Sequence, residues 1–299
     1  MVINVTSTNE ILGQYGNIHS FKLDNIINSD SQNEEIENIL PSPYYTVDEL
    51  PSTLSSNNGN FSVLSLNAQS IGAKFDELIS FLSIVKQQNI FFNAICIQES
   101  WLPDGHDMSL FHIDGYNCFC RGRSASGHGG LITFVDNNYD ASIIKIDPQS
   151  NIWEGLFLNI ENRHHNHKIT LGNVYRPPRD NNNRENINTF VVDLEATLSI
   201  LNDKNCDFIV TGDFNINLLH INLANKEHFS LFLDMMLSYN LFPKITLPTR
   251  ISHNSCTLID NTFCKLSSLS SGTNAGIIMS QLSDHFPHFL TVFPGNLWK

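Results

Sequence analysis

The chain is short of positive charge. Seventeen Lys and Arg stand against 30 Asp and Glu over 299 residues, a formal net charge of −13. That excludes a protein that coats nucleic acid by bulk charge, which would be basic. Long apolar runs are also missing. None approaches the ~20 residues that a membrane-spanning helix needs, so no membrane association is expected. No basic stretch followed by an apolar one opens the chain, so no secretory signal is read, and a nuclear or cytoplasmic, intracellular location is expected. Cysteine is sparse and shows no C-x-x-C spacing. Of Cys96, Cys118, Cys120, Cys206, Cys256 and Cys264, most lie in apolar runs. They read as reduced core residues rather than zinc ligands or disulfides.

The remainder is an ordinary globular composition, 41% hydrophobic with 20 Phe, in a chain long enough to bury a real core. The acidity is uneven. Residues 1–60 hold eight acids and the single base Lys22. They are rich in Asn and Ser and poor in apolar periodicity, and they read as an acidic tail or linker, with a short helix opening at Thr46 or Val47. The folded domain is expected over 61–299.

From Phe61 onward, short apolar runs alternate with amphipathic stretches. Strands are predicted at 61–66, 93–98, 116–120, 130–135, 142–146, 153–160, 168–175, 207–212, 257–264, 276–280 and 287–293. Helices are predicted at 75–88, 186–201 and 226–240, where apolar residues such as Phe190, Leu194, Leu198 and Leu201 form one stripe. Many strands with a few interspersed helices imply an α/β (α+β) fold. Its expected form is a four-layer α/β sandwich, two packed, mostly antiparallel β-sheets flanked by helices.

Several of these strands end on polar groups. "SVLSLN" ends on Asn67, "AICIQE" on Glu99, "ITLGNVY" on Tyr175, and "FIVTGD" on Asp213 with Asn215 beyond it. Asp260 sits in "TLID", and Asp284 and His285 precede the last apolar run. Each has a bland reading as a turn former, a cap or a rim residue. Strand ends at one edge of a sandwich converge, however. Acids, amides, a phenol and an imidazole together are the equipment for a hard divalent cation and a phosphate.

Taken in order, "LSLNAQSI", "CIQESWL", "NVYRPP", "VTGDFNIN", "TLIDNTF" and "LSDHFP" resemble the motifs of the endonuclease/exonuclease/phosphatase superfamily. They are most similar to the abasic-endonuclease-like domain of non-LTR, Jockey-like retrotransposons. The resemblance covers Phe61 to about Phe293. It implies a nuclease dependent on Mg2+ or Mn2+ that nicks double-stranded DNA and leaves a 3′-hydroxyl to prime reverse transcription. The reverse transcriptase domain expected in the parent element is absent from this chain. On that resemblance Glu99 is the best metal ligand, with Asn67 beside it and Asp284 on the metal side as ligand or close neighbour. Asp213 is the candidate base for the attacking water. Asn215, reached along extended backbone, aligns Asp213 or holds the phosphate. His285 binds phosphate with Asp260 on its other ring nitrogen, and Tyr175 donates to phosphate or leaving oxygen.

Two positions depart from the abasic-repair pattern. Gln69 stands where those enzymes carry an acid, and Pro178, in "YRPP", where they carry Asn. Abasic repair is therefore not expected to be the task. Arg176, Arg179 and Arg250 are candidate phosphate contacts, with surface pairing to acids as the alternative, and Thr249 is a candidate DNA contact. "ENRHHNHK", with His164, His165 and His167, reads as a solvated hairpin loop rather than a metal site. His253 and His288 read as bystanders. The segments 220–226 and 244–256 are where target choice is expected. Net acidity implies weak, salt-sensitive DNA affinity. Two other readings stay open, a phosphatase of the same fold acting on an inositol phosphate or phospholipid, and a catalytically dead relic serving as a binding module.

Overall fold

The computed structural model describes residues 42–50, 54, 59–122, 128–146, 151–162, 167–178, 184–202, 206–220, 227–252 and 255–295. In chain order the strands are β1 (Tyr44–Tyr45), β2 (Phe61–Asn67), β3 (Ala94–Gln98), β4 (Tyr116–Arg121), β5 (Leu131–Asp136), β6 (Tyr139–Ile143), β7 (Glu154–Asn162) and β8 (Lys168–Tyr175). They continue with β9 (Asp207–Asp213), β10 (Phe242–Pro243), β11 (Arg250–Ser252), β12 (Ser255–Thr257), β13 (Asp260–Lys265), β14 (Ser270–Ile278) and β15 (His288–Pro294). The α-helices are α1 (Ile71–Gln87), α2 (Arg184–Leu201) and α3 (Glu227–Ser238). One sheet has the order β1-β14-β15-β2-β3-β5-β4 and the other β10-β13-β9-β8-β7-β6. Only β1–β14, β2–β3 and β8–β9 run parallel, so both sheets are mostly antiparallel.

Strand alternation divides the apolar residues among three cores, one for each interface of a four-layer sandwich. Between the sheets lie Phe61, Val63, Ala94, Cys96, Leu156, Leu158, Leu171 and Ile209. The intervening residues Leu64, Leu66, Ile95 and Ile97 point outward and pack under Leu78, Phe81 and Val85 of α1. On the far side Phe208, Val210 and Phe263 pack under Phe190 and Leu194 of α2 and Phe232 and Met236 of α3. Among the described residues, no helix is long and apolar enough to cross a membrane.

Several elements differ from the sequence expectation. The domain reaches back before Phe61: β1 pairs in parallel with β14, and the Tyr44 hydroxyl donates to the Pro248 carbonyl at 2.7 Å. Two residues carry no periodicity, which is why this strand was not predicted. The helix expected nearby is a single 3-10 turn, Val47–Glu49. The run read as one strand from 257 is broken. β12 folds back on β11 as a separate ribbon, and the chain joins the main sheet only at Asp260. β14 begins at Ser270, earlier than 276, because "SSGTNAG" is short of apolar side chains to mark it. The cysteine expectation holds for Cys96, Cys206 and Cys264, which are buried, but Cys118 and Cys120 are exposed on edge strand β4, and all six thiols are free.

Candidate active site

Alternation also locates the polar strand ends. Val63, Cys96, Leu171 and Ile209 face the space between the sheets. Residues an even number of places along each strand, Asn67, Tyr175 and Asp213, therefore face the same space at its rim. Register aligns them further. Tyr175 lies opposite Asp213, and Asp213 opposite Asp260, so three adjacent strands present one row of functional groups. Glu154, opposite Tyr175 on β7, extends that row. The sequence reading missed it, although it stands at a strand end like the others.

The strand ends are held in an unusual backbone. Glu99, Trp101 and Asn215 have φ of 53°, 56° and 49°, and Gln69 and Ser70 have 47° and 91°. Each such non-glycine residue costs roughly 1–3 kcal/mol, and clusters of this kind occur where function needs them. Asn215 is thus in a tight turn and not on the extended backbone expected. Its amide N–H donates to Asp213 Oδ1 at 2.9 Å, and its Nδ2 to Asp213 Oδ2 at 3.2 Å and the Arg176 carbonyl at 2.8 Å. "GDFN" is therefore a turn, and the turn itself sets Asn215 on the Asp213 carboxylate. Phe214 locks the turn by packing outward against Phe232 and Phe263, with ring centroids 5.1 and 5.4 Å away. Gly212 has φ of +146°, and a β-carbon there would meet the Val174 carbonyl oxygen at 1.9 Å, so no other residue fits.

Asn67 joins the two sheets. Its Nδ2 donates to Glu99 Oε1 and to Asp213 Oδ2, both at 2.8 Å. Trp101 Nε1 donates to Glu99 Oε2 at 3.0 Å, and Tyr175 stands near the same carboxylate. His285 Nδ1 lies 3.0 and 2.9 Å from the two oxygens of Asp260, and Thr249 donates to Asp260 Oδ2 at 2.6 Å.

These contacts set the charges. Burial, then Asp260 nearby, pushes the Asp213 carboxyl up to about 7, where it is poised as a base. Burial alone would lower His285, but Asp260 and its hydrogen bond, with Asp213, outweigh that and raise it to about 9. Burial raises Asp260, and the His285 charge more than reverses it, so Asp260 is held below the usual carboxylate range. The couple is ionised at neutral pH. Burial, with Glu99 and Asp213 near, drives Tyr175 far up, leaving a neutral donor. Burial pushes the neighbouring His288 down to about 4, so this imidazole is neutral and bonds Thr211 at 3.2 Å.

Asp213, Asp260 and His285 offer ligand atoms within 4.8 Å of one another. A protonated His285 has no lone pair to give, however, so the oxygen donors carry the fit. Glu99, held by Asn67 and Trp101, with Asp213 across the bond from Asn67, suits a hard divalent cation that keeps several waters.

Other expected residues sit elsewhere. Arg176, expected to meet DNA phosphate, is fully buried and donates to the Phe214 and Asn215 carbonyls at 3.3 and 3.2 Å. Thr249, expected to meet DNA, is also fully buried. The Phe286 amide bonds its carbonyl, and this tie sets its hydroxyl on Asp260. Asp284 is half exposed beside His285, 3.8 Å from Nε2, and takes a 2.9 Å bond from Arg250 Nε, so Arg250 is engaged by an acid. His167 is buried rather than solvated and lies 2.6 Å from Asp207, with Ser270 also bonding that carboxylate. Arg179, His164, His165, His253 and 221–226 lie outside the described residues.

A two-sheet sandwich with acids, amides and an imidazole gathered at one rim offers the groups that bind a divalent cation and a phosphate. The sequence profile of the Endonuclease/Exonuclease/phosphatase family matches residues 64–285, and the chain belongs to that family. No curated protein matches it. Among solved structures, the endonuclease domain of TRAS1, a telomere-specific non-LTR retrotransposon, is 17% identical with a TM-score of 0.55, covering 79% of this chain and 99% of that one. An AP endonuclease from Archaeoglobus fulgidus is 13% identical, TM-score 0.54, covering 77% and 98%. The human Nocturnin catalytic domain with bound sulfate is 14% identical, TM-score 0.56, covering 79% and 95%. At these identities the likeness is one of fold.

Proposed function

We propose that the chain is an Mg2+- or Mn2+-dependent endonuclease that nicks double-stranded DNA and leaves a 3′-hydroxyl. The observation that carries the reading is the geometry of one buried rim, where Asn67 donates to both Glu99 and Asp213 at 2.8 Å and His285 lies 2.9 Å from Asp260. Asp213 is a carboxyl poised near neutrality, and beside it stands the ionised His285–Asp260 couple. Asp213 takes a proton from the attacking water as its oxygen bonds to phosphorus. The P–O3′ bond breaks, and the departing oxygen takes a proton from Tyr175 or solvent to become the 3′-hydroxyl. His285 holds a non-bridging oxygen, and Asn215 keeps Asp213 turned toward the water. Glu99 and Asn67 would hold the divalent cation, which neutralises phosphate charge as the transition state forms. The motif resemblance adds the use of this product, priming by a reverse transcriptase of the parent element.

Purified protein with magnesium is expected to nick supercoiled plasmid, with Asp213→Ala and His285→Ala slower by about 10²-fold or more. A wild type no faster than these variants overturns the reading. Release of phosphate from an inositol phosphate without nicking replaces it with a phosphatase, and metal binding without either replaces it with a binding module.

A further inference from the structure

Trp101 is built as no core residue is. Trp153 is 2% exposed, whereas Trp101 is 38% exposed beside the buried Glu99. A bulky aromatic at φ 56° is an outlier that the surroundings must impose. Four contacts impose it. The Trp101 backbone N–H donates to the Gly129 carbonyl at 2.7 Å, and Ser100 bonds the Gly130 carbonyl at 3.0 Å. The indole N–H is fixed on Glu99 Oε2. The His128 ring stands at 79° to the indole with centroids 4.4 Å apart. Gly130 has φ +86°, a backbone conformation that favours glycine, and a β-carbon there would lie 2.4 Å from Ser100 Oγ, so the two loops approach closely at this point. The result is a rigid, solvent-facing aromatic surface whose polar edge is anchored on the candidate metal ligand. Rigid exposed aromatics stack, without regard to sequence, on nucleobases that are single-stranded or turned out of the duplex.

We infer that Trp101, flanked by His128, is the platform on which a nucleobase next to the scissile phosphate stacks. This inference rests on the phosphodiesterase reading of the site and names polynucleotide, rather than a small phosphate ester, as the substrate. Trp101→Phe keeps a ring and loses the bond to Glu99, whereas Trp101→Leu loses both. On a short duplex, the Leu variant is expected to raise KM about tenfold over the Phe variant. On an oligomer of abasic deoxyribose phosphates, which carries no aromatic group, the two variants are expected to match. Equal KM values on the duplex overturn the platform and leave only positioning of Glu99, while nicking by the wild type would leave the nuclease reading standing. In EDTA, the oligonucleotide is expected to quench wild-type tryptophan fluorescence and not that of Trp101→Phe. Quenching without any nicking would keep the platform and sink the nuclease; no quenching, or equal quenching in the variant, sinks the platform.

Discussion

His285 and Asp213 titrate in opposite senses to their tasks, and this makes activity a function of pH with a sign at each limb. Asp213 must be ionised, and its folded value is about 7; His285 must be protonated, and its folded value is about 9. Activity is expected to rise through the first and fall through the second, a bell whose limbs belong to the coupled site. A cation near Asp213 favours the carboxylate, so the acid limb should lie at or below about 7 when magnesium is saturating. An initial-rate profile of plasmid nicking checks it, and a flat profile across the basic limb would remove His285 from the chemistry. Thr249 provides a finer test. Its hydroxyl is one of the bonds holding Asp260 ionised. Thr249→Val is expected to cost about 1.5–3 kcal/mol at the couple, lowering kcat roughly tenfold or more and moving the basic limb to higher pH, because a carboxylate without that donor holds the imidazolium proton more tightly. A loss of Tm with an unmoved limb would make Thr249 a packing residue only.

At the scale of elements, β9 shows how a strand delivers a side chain. Its apolar residues alternate between two cores, and that alternation was readable in "DFIVTGD". Its last residues obey a different constraint, because Gly212 passes against the Val174 carbonyl and Asn215 turns back on Asp213. Gly212→Ala must part β8 from β9 at the catalytic row. It is expected to cost about 1–3 kcal/mol or more and to abolish nicking, with a thermal melt and the plasmid assay as readouts. An active, equally stable variant would show that the strands have slack. The same distinction explains what the sequence made legible. Long periodic strands and helices were found within a few residues, and the polar ends of β2, β8 and β9 do converge. Residues whose role depends on a distant partner were misread. Arg176 resembles a surface arginine until the Phe214 turn closes over it, His167 a loop histidine until Asp207, 40 residues on, meets it, and Thr249 a surface contact until β13 arrives.

The whole molecule carries −13 and concentrates three acids, Glu99, Asp213 and Asp260, in one buried rim with a single charged imidazole. Such a site is stable alone only at the expense of ionisation, which is why Asp213 is held up near 7. Because its folded value lies above its ordinary 3.8, the metal-free protein loses stability as pH rises from about 4 to about 7, then loses nothing further from this group. His285 acts the other way. Its contribution is complete below about 6.5 and is lost as pH passes about 9. A divalent cation that finds Asp213 already ionised displaces no proton, whereas at lower pH it must. Excess magnesium is therefore expected to raise Tm over the EDTA-treated protein by on the order of 5 °C near pH 8, and by clearly less near pH 6. Glu99→Gln should erase most of the gain at both. Thermal melts with magnesium or EDTA at the two pH values decide it. A gain independent of pH and of Glu99 would mean that the cation binds elsewhere on an acidic surface.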